Sequence, residues 1–253
     1  MKLFLLGLLL AIVAMSGCFT GIPRGKQPAV AHSQWTALLQ KHVNDKGLVN
    51  YKGFMADSVA LNSYLQLLSD HAPANDWSRE EKLAYWINAY NAFTVKLITQ
   101  YYPLKSIKDI GPATQVIFVN TPWDKKFFTI GGKSMTLNTI EHKILRKKFT
   151  EPRIHFAINC ASISCPKLLN VAYEAATLDA QLTAQAKAFL ADTDKNQVTA
   201  DNPKLSSIFK WFNGDFKKTG LSKIAFINQY APMRINDNAN LDYLDYNWHL
   251  NEQ

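Results

Sequence analysis

Apolar positions along the chain recur mostly at helical spacing. In "HSQWTALLQKHV" Trp35, Leu38, Leu39 and Val43 fall on one face, as do Leu61, Tyr64, Leu65 and Leu68 in "ALNSYLQLLSD". The strongest pattern is "SREEKLAYWINAYNAFTVKLITQYY". Ser78 and Glu81 have capping-box spacing, Leu83, Trp86, Ile87, Tyr90, Thr94, Leu97, Ile98 and Tyr101 form a stripe, and Pro103 stops the helix. The pattern then shortens. "QVIFVN" reads as a strand, and "KKFFTIGGKSMTL" as a strand pair turning at Gly131 and Gly132. "LNTIEHKILRKKF" returns to helix and "RIHFAIN" to strand. "LDAQLTAQAKAFLAD", "PKLSSIFKWFNGDF" and "SKIAFINQYAP" have helical spacing again, and the aromatic-rich "LDYLDYNWHLN" is expected to pack back on the core. Helices outnumber strands without alternating with them, which predicts an α+β domain, mostly helical, with a small and mainly antiparallel sheet.

The first residues follow a different rule. "MKLFLLGLLLAIVAMSGCF" has one charge, an apolar run too short for a membrane span of about 20 residues, and small residues before a cysteine. This is the pattern of a bacterial lipoprotein signal. The expected organisation is a signal peptide at 1–17, lipidation at Cys18, a tether at 18–31 and one globular domain at 32–253. Phe19 after Cys18 fits the periplasmic face of the outer membrane, with a soluble periplasmic protein as the fallback. The partners then expected are a membrane, through the lipid anchor, and a peptide or cell-wall substrate.

The formal charge of +8 changes this little, because the lysine pairs at 125, 147 and 217 are spread along the chain. Dispersed charge marks a solvated surface, so nucleic acid is not an expected partner. No cofactor motif is present, and the oligomeric state is not legible.

Three places hold polar groups where a plain core would not. On the long helix Asn91 lies at the margin of the apolar stripe and Asn88 one turn earlier. Each either ties a neighbouring loop's backbone to the helix or acts as an orienting or oxyanion-stabilising amide. In "LNTIEHKIL" Glu141 falls inside the stripe of Leu137, Ile140, Ile144 and Leu145, with His142 toward its edge. Glu141 therefore pairs with an arginine such as Arg146, Arg153 or Arg234, stays protonated, or orients a histidine.

The third place is "HFAINCASISCPKL". Read as a strand, it puts His155 on the face of Asn159, with Cys160 and Cys165 in the loop beyond. If "PKLL" opens a helix, Cys165 sits at its start, where a thiolate is stabilised; that makes it the preferred nucleophile over Cys160. The alternatives are a Cys160–Cys165 disulfide, natural in an oxidising compartment, and zinc held with His155 and His142. The cysteine spacing is not the usual one for zinc, so no metal is expected.

"AYWINAYNAFT", "LNTIEHKILR", "RIHFAINCASISCPKL" and "LDYLDYNWHLN" together resemble the family of unknown function numbered 547, found in bacteria and plants and often exported. The resemblance runs from about residue 77 to 248. It implies that Asn88, Asn91, Glu141, His142, His155, Cys160 and Cys165 are motif residues. One position departs: Ala161 stands where the family more usually has glycine. A Cys–His–acid set on an α+β domain is similar to papain-like and transglutaminase-like enzymes. By that analogy, the expected activity is a cysteine-dependent amide or peptide hydrolase or acyl transferase. The competing expectation is a non-catalytic envelope protein whose disulfide-clamped loop binds a partner.

Overall fold

The computed structural model describes residues 27–111 and 121–253. The expected signal peptide, the lipidation site Cys18 and the strand "QVIFVN" lie outside the described residues. Of the expected tether, Ala29 and Val30 already pack against the core.

The described chain begins with α1 (Ser33–His42), α2 (Tyr51–Ala56) and α3 (Ser58–Asp70); α2 and α3 pack on the long α4 (Arg79–Tyr101), and α1 packs on α2 and α3. The α1 and α3 stripes face each other, with Trp35 stacked on Tyr64 at 5.6 Å and 3°. The Ser78–Glu81 capping box starts α4 as its sequence predicts. From Leu83 to Ile98 this helix is buried on nearly all sides, not along a stripe; Trp86 is half-buried and Tyr101 exposed. A helix packed all round must bury its polar positions too, and Asn88 and Asn91 go inside with the rest.

After α4 the chain forms the hairpin β1 (Phe128–Ile130) and β2 (Lys133–Met135), antiparallel with Thr129 opposite Ser134. Gly131 and Gly132 have φ of +56° and +72°, as a tight hairpin turn requires. "TIEHKIL" is helical, but wound as a π-helix (Thr139–Leu145) that runs into the short α5 (Arg146–Lys148).

"RIHFAIN" is not a strand. Pro152 occupies the first position of a 3-10 turn, Pro152–Phe156, and the Glu151 carboxylate caps it by accepting from Arg153 N–H. The alternation that put His155 and Asn159 on one face does not apply, since residues 154–159 are all buried. No neighbouring strand is needed, because the Asn91 amide supplies the partner: its Nδ2 donates to Ala157 O at 3.0 Å and its Oδ1 accepts from Asn159 N–H at 2.8 Å.

Beyond the cysteines, α6 (Leu178–Ala191) joins two apolar clusters, giving Leu178 and Leu182 to the α4 core and Ala186, Phe189 and Leu190 to a second, phenylalanine-rich one. "PKLSSIFKWFNGDF" breaks into β3 (Lys204–Ser206), α7 (Ile208–Trp211) and α8 (Asn213–Phe216), and "SKIAFINQYAP" shortens to α9 (Lys223–Ile227). β3 leaves the helical pattern because it pairs in parallel with β4 (Asp242–Leu244). The class is α+β and mostly helical, with this parallel pair added to the small antiparallel hairpin. Among the described residues, no helix is long and apolar enough to cross a membrane.

The last residues return as predicted. Ile163 N–H donates to His249 O at 2.9 Å, Leu250 N–H to Lys105 O at 2.9 Å and Val49 N–H to Asn251 O at 2.8 Å. The C-terminal segment is thus clipped to both the cysteine loop and the N-terminal helices.

Candidate functional site

The cysteine loop is organised by Asn159. Its Oδ1 accepts from Ala161 N–H and its Nδ2 donates to Pro166 O, each at 2.8 Å, so one side chain spans the loop. Ala161 has φ of +61°, in the left-handed region that costs an L-residue about 1–2 kcal/mol, which gives a physical reason for glycine there. Cys160 and Cys165 are joined as a disulfide, with Cα atoms 6.3 Å apart. Pro166–Leu169 does not form a helix, so Cys165 is not at a helix start and the ground for preferring it as nucleophile is gone. Proline at that position does not by itself bring the hydrogen bonds a helix needs, and the Pro166 carbonyl is held by Asn159 instead.

The two half-cystines differ in environment. Cys165 is 3% exposed, whereas Cys160 is half-buried. Cys160 N–H donates to Cys165 Sγ at 2.9 Å, and the Tyr246 hydroxyl is shared between Cys165 Sγ at 3.3 Å and Cys160 Sγ at 3.4 Å, the latter also 3.4 Å from Ser162 Oγ. Tyr246 is itself oriented by a hydrogen bond from Ser162 Oγ at 3.3 Å. Burial pushes the Tyr246 phenol well above its usual range, so it remains a donor.

Cys160 and Cys165 line a cleft of about 910 Å³ that is also lined by Glu141, His142 and His155. One wall is aromatic. Trp248 lies 4.5 Å from Tyr246, 5.8 Å from Trp123 and 5.9 Å from Trp211 between ring centroids, and Trp211 is 47% exposed. Lys108 sits over Trp248 at 4.1 Å.

Glu141 is 7% exposed, and its Oε2 accepts from the Tyr90 hydroxyl at 3.2 Å. None of the three candidate arginines forms an ion pair with it. Arg146 turns to Asp215, Arg153 pairs with Glu151 and Asp179, and Arg234 with Asp237. Burial raises the Glu141 pKa to about 7, although Arg146 and the Tyr90 bond pull it down. Of the options its sequence position leaves open, a protonated acid fits best.

His142 Nδ1 accepts from Arg146 Nη1 at 2.8 Å, since a guanidinium only donates, which leaves the proton on Nε2. Burial, then the Arg146 charge, lowers its pKa and keeps the ring neutral. His155 stacks on Phe212 at 4.0 Å and bonds Asp215 Oδ2 through Nε2 at 2.9 Å; burial lowers its pKa against the pull of Asp215. Among the described residues neither imidazole is hydrogen-bonded to a sulfur, and no group of three or more His, Cys, Asp or Glu side chains is placed to hold a metal.

Asn88 and Asn91 stand behind this cleft, not in it. Asn88 Nδ2 donates to Tyr173 O at 2.8 Å and its Oδ1 accepts from Tyr173 N–H at 3.0 Å, matching what Asn91 does for residues 157 and 159. Both are loop-tying amides. Asn88→Ala should therefore cost about 2 kcal/mol in urea unfolding, by stranding two buried backbone groups, and leave cleft binding unchanged. A loss of binding without loss of stability would place Asn88 in the site.

Residues 74–190 match the profile of a family described as protein of unknown function, DUF547. That segment, a little under half of the chain, is what it shares with the DUF547 family. No curated protein and no solved structure matches it. The DUF547 match covers α4, the π-helix, the cysteine loop and nearly all of α6, but it ends well short of residue 248, where the resemblance in the sequence ended. Trp211, Tyr246 and Trp248, which complete the cleft, and Asp215, which bonds the cleft residue His155, lie beyond the matched DUF547 segment.

Those four are what the sequence reading missed. Asp215 sits in "FNGDF", where it looks like a helix-surface acid, and only the three-dimensional approach of α8 to His155 gives it a role. The tryptophans carried a usable signal, because the aromatic density of the last residues exceeds what a surface strand needs.

Proposed function

We propose that this protein is an exported envelope protein, lipid-anchored at Cys18 on the periplasmic face of the outer membrane, whose cleft binds an extended polypeptide segment. The supporting observation is the aromatic wall of Trp123, Trp211, Tyr246 and Trp248 beside a loop whose sulfurs are already bonded to each other. Adjacent ring faces take apolar side chains, while indole N–H groups and the Asn138 and His142 edges meet the amides of an extended chain. A thiol nucleophile for hydrolysis or acyl transfer would first require the disulfide to be opened and an imidazole to reach a sulfur, so binding is the better-supported reading.

Intrinsic tryptophan fluorescence titrated with a synthetic peptide of alternating aromatic and polar residues should saturate. Trp211→Ala should weaken that binding about tenfold, the loss of one exposed aromatic anchor, with unfolding unchanged. Equal affinity for the variant and the parent would remove the aromatic wall from the function.

A further inference from the structure

The disulfide has an asymmetry that a purely structural crosslink does not require. Both cysteines line the cleft, and Cys160 is half-buried, its sulfur 3.4 Å from the Ser162 and Tyr246 hydroxyls. Of the two, the enclosed Cys165 alone receives a backbone donor, Cys160 N–H at 2.9 Å, together with Tyr246 O–H at 3.3 Å. In thiol–disulfide exchange the attacked sulfur must be reachable, and the departing sulfur leaves as a thiolate whose stabilisation sets the rate. Donors aimed at a sulfur strengthen as it gains negative charge.

We propose that Cys160–Cys165 is a thiol–disulfide exchange centre acting on polypeptide cysteine pairs held in the cleft. A substrate thiolate attacks Cys160 Sγ; a new S–S bond forms as the Cys160–Cys165 bond breaks. The electron pair departs on Cys165, whose thiolate is held by Cys160 N–H and Tyr246 O–H. The second substrate thiol, once deprotonated, attacks the substrate sulfur of the mixed disulfide and expels the Cys160 thiolate. The two protons released by the substrate thiols are balanced by protonation of Cys160 and Cys165. The substrate dithiol is oxidised to a disulfide, and the protein's disulfide is reduced to a dithiol. Ser162 Oγ, which donates to Tyr246, and Asn159, which fixes the loop, are positioning residues.

The centre rests on the cleft reading above for its substrate, and the test separates the two. The oxidised full-length chain is mixed with the synthetic peptide carrying two cysteines, and with the same peptide carrying serines. The expected result is one peptide disulfide formed per protein, at least tenfold faster than with oxidised glutathione at equal concentration. Acid quenching should give a mixed disulfide that mass spectrometry maps to Cys160 and not Cys165. Tyr246→Phe, which keeps the ring and removes the donor, should slow the exchange step measured at saturating peptide threefold to tenfold. Cys165→Ser should capture a peptide presented as its glutathionyl disulfide at Cys160; if that variant does not fold, the native-chain kinetics and the Tyr246→Phe comparison decide alone.

Reduction only at the rate of global unfolding, or equal capture at both sulfurs, would overturn the exchange centre. Binding of the serine peptide with no exchange would sink this proposal and leave the cleft reading standing. Exchange as fast with dithiothreitol as with the peptide, and unaffected by Trp211→Ala, would sink the cleft reading and keep the exchange centre.

Discussion

Replacing Asp215 by alanine should destabilise the protein by about 3–5 kcal/mol, the range for removing one partner from a buried charged group. The carboxylate is 5% exposed and accepts from His155 Nε2 at 2.9 Å, from Lys218 Nζ at 2.7 Å and from Arg146 Nε. Burial pushes its pKa up, but those three partners outweigh burial and hold it well below the usual carboxylate range. The outcome should sit toward the lower end, because Arg146 and Lys218 are partly open to water and can be rehydrated, whereas His155 cannot. Asp215→Asn keeps an acceptor for the imidazole and should cost about half as much.

The pH dependence follows from the direction of the shift. A depressed pKa means that Asp215's contribution is complete above the unfolded carboxylate range and disappears as pH falls toward the folded value. Asp215→Asn should therefore flatten the acid limb of a stability-versus-pH curve. Urea titrations of the three proteins between pH 3 and 7 provide the check. A cost under about 1 kcal/mol for the alanine variant would mean that His155 is positioned by its stacking on Phe212 alone.

The second expectation has the opposite sign. Glu141→Gln should make the protein more stable at pH 8, by about 3 kcal/mol at most. With a folded pKa of about 7 against 4.5, Glu141's contribution is fully present below 4.5, where both states are protonated. Between those values the unfolded chain ionises and the folded one does not, so stability falls as pH rises until 7 is passed. Glutamine has the shape of the protonated acid and no charge to desolvate, so the variant should lack that decline. For a domain of this size the difference at pH 8 corresponds to about 5–10 °C in Tm. Scanning calorimetry at pH 5 and pH 8 reads it directly: near coincidence at pH 5 and separation at pH 8. Parallel curves would show that Glu141 is ionised in the fold, with Arg146 compensating.

The parts of this structure that could be read from sequence are those settled by neighbours in the chain. The capping box at Ser78, the Gly131–Gly132 turn and the α1 and α3 stripes each depend on residues within a few positions, and all appear where expected. The errors arise where distant partners decide. "RIHFAIN" has strand-like alternation, but Pro152 and the Asn91 amide, more than sixty residues away, fold it into a turn. Similarly, α4 looks one-sided in sequence and is buried all round once α2, α3 and the π-helix close on it. The cysteine, histidine and Glu141 motif does gather at one cleft, while Asn88 and Asn91 serve as its scaffold. The acid that actually holds His155 carries no local mark of its role.

The clip between the C-terminal segment and the cysteine loop also makes the cleft a composite of distant parts of the chain. Tyr246 lies 81 positions beyond Cys165, yet it supplies a donor to that sulfur, and with Trp248 it forms the centre of the aromatic wall. The cleft is therefore assembled only when this segment has docked on the loop, and a chain truncated before Tyr246 would keep the residues of the α4 core but lose both the donor and the wall.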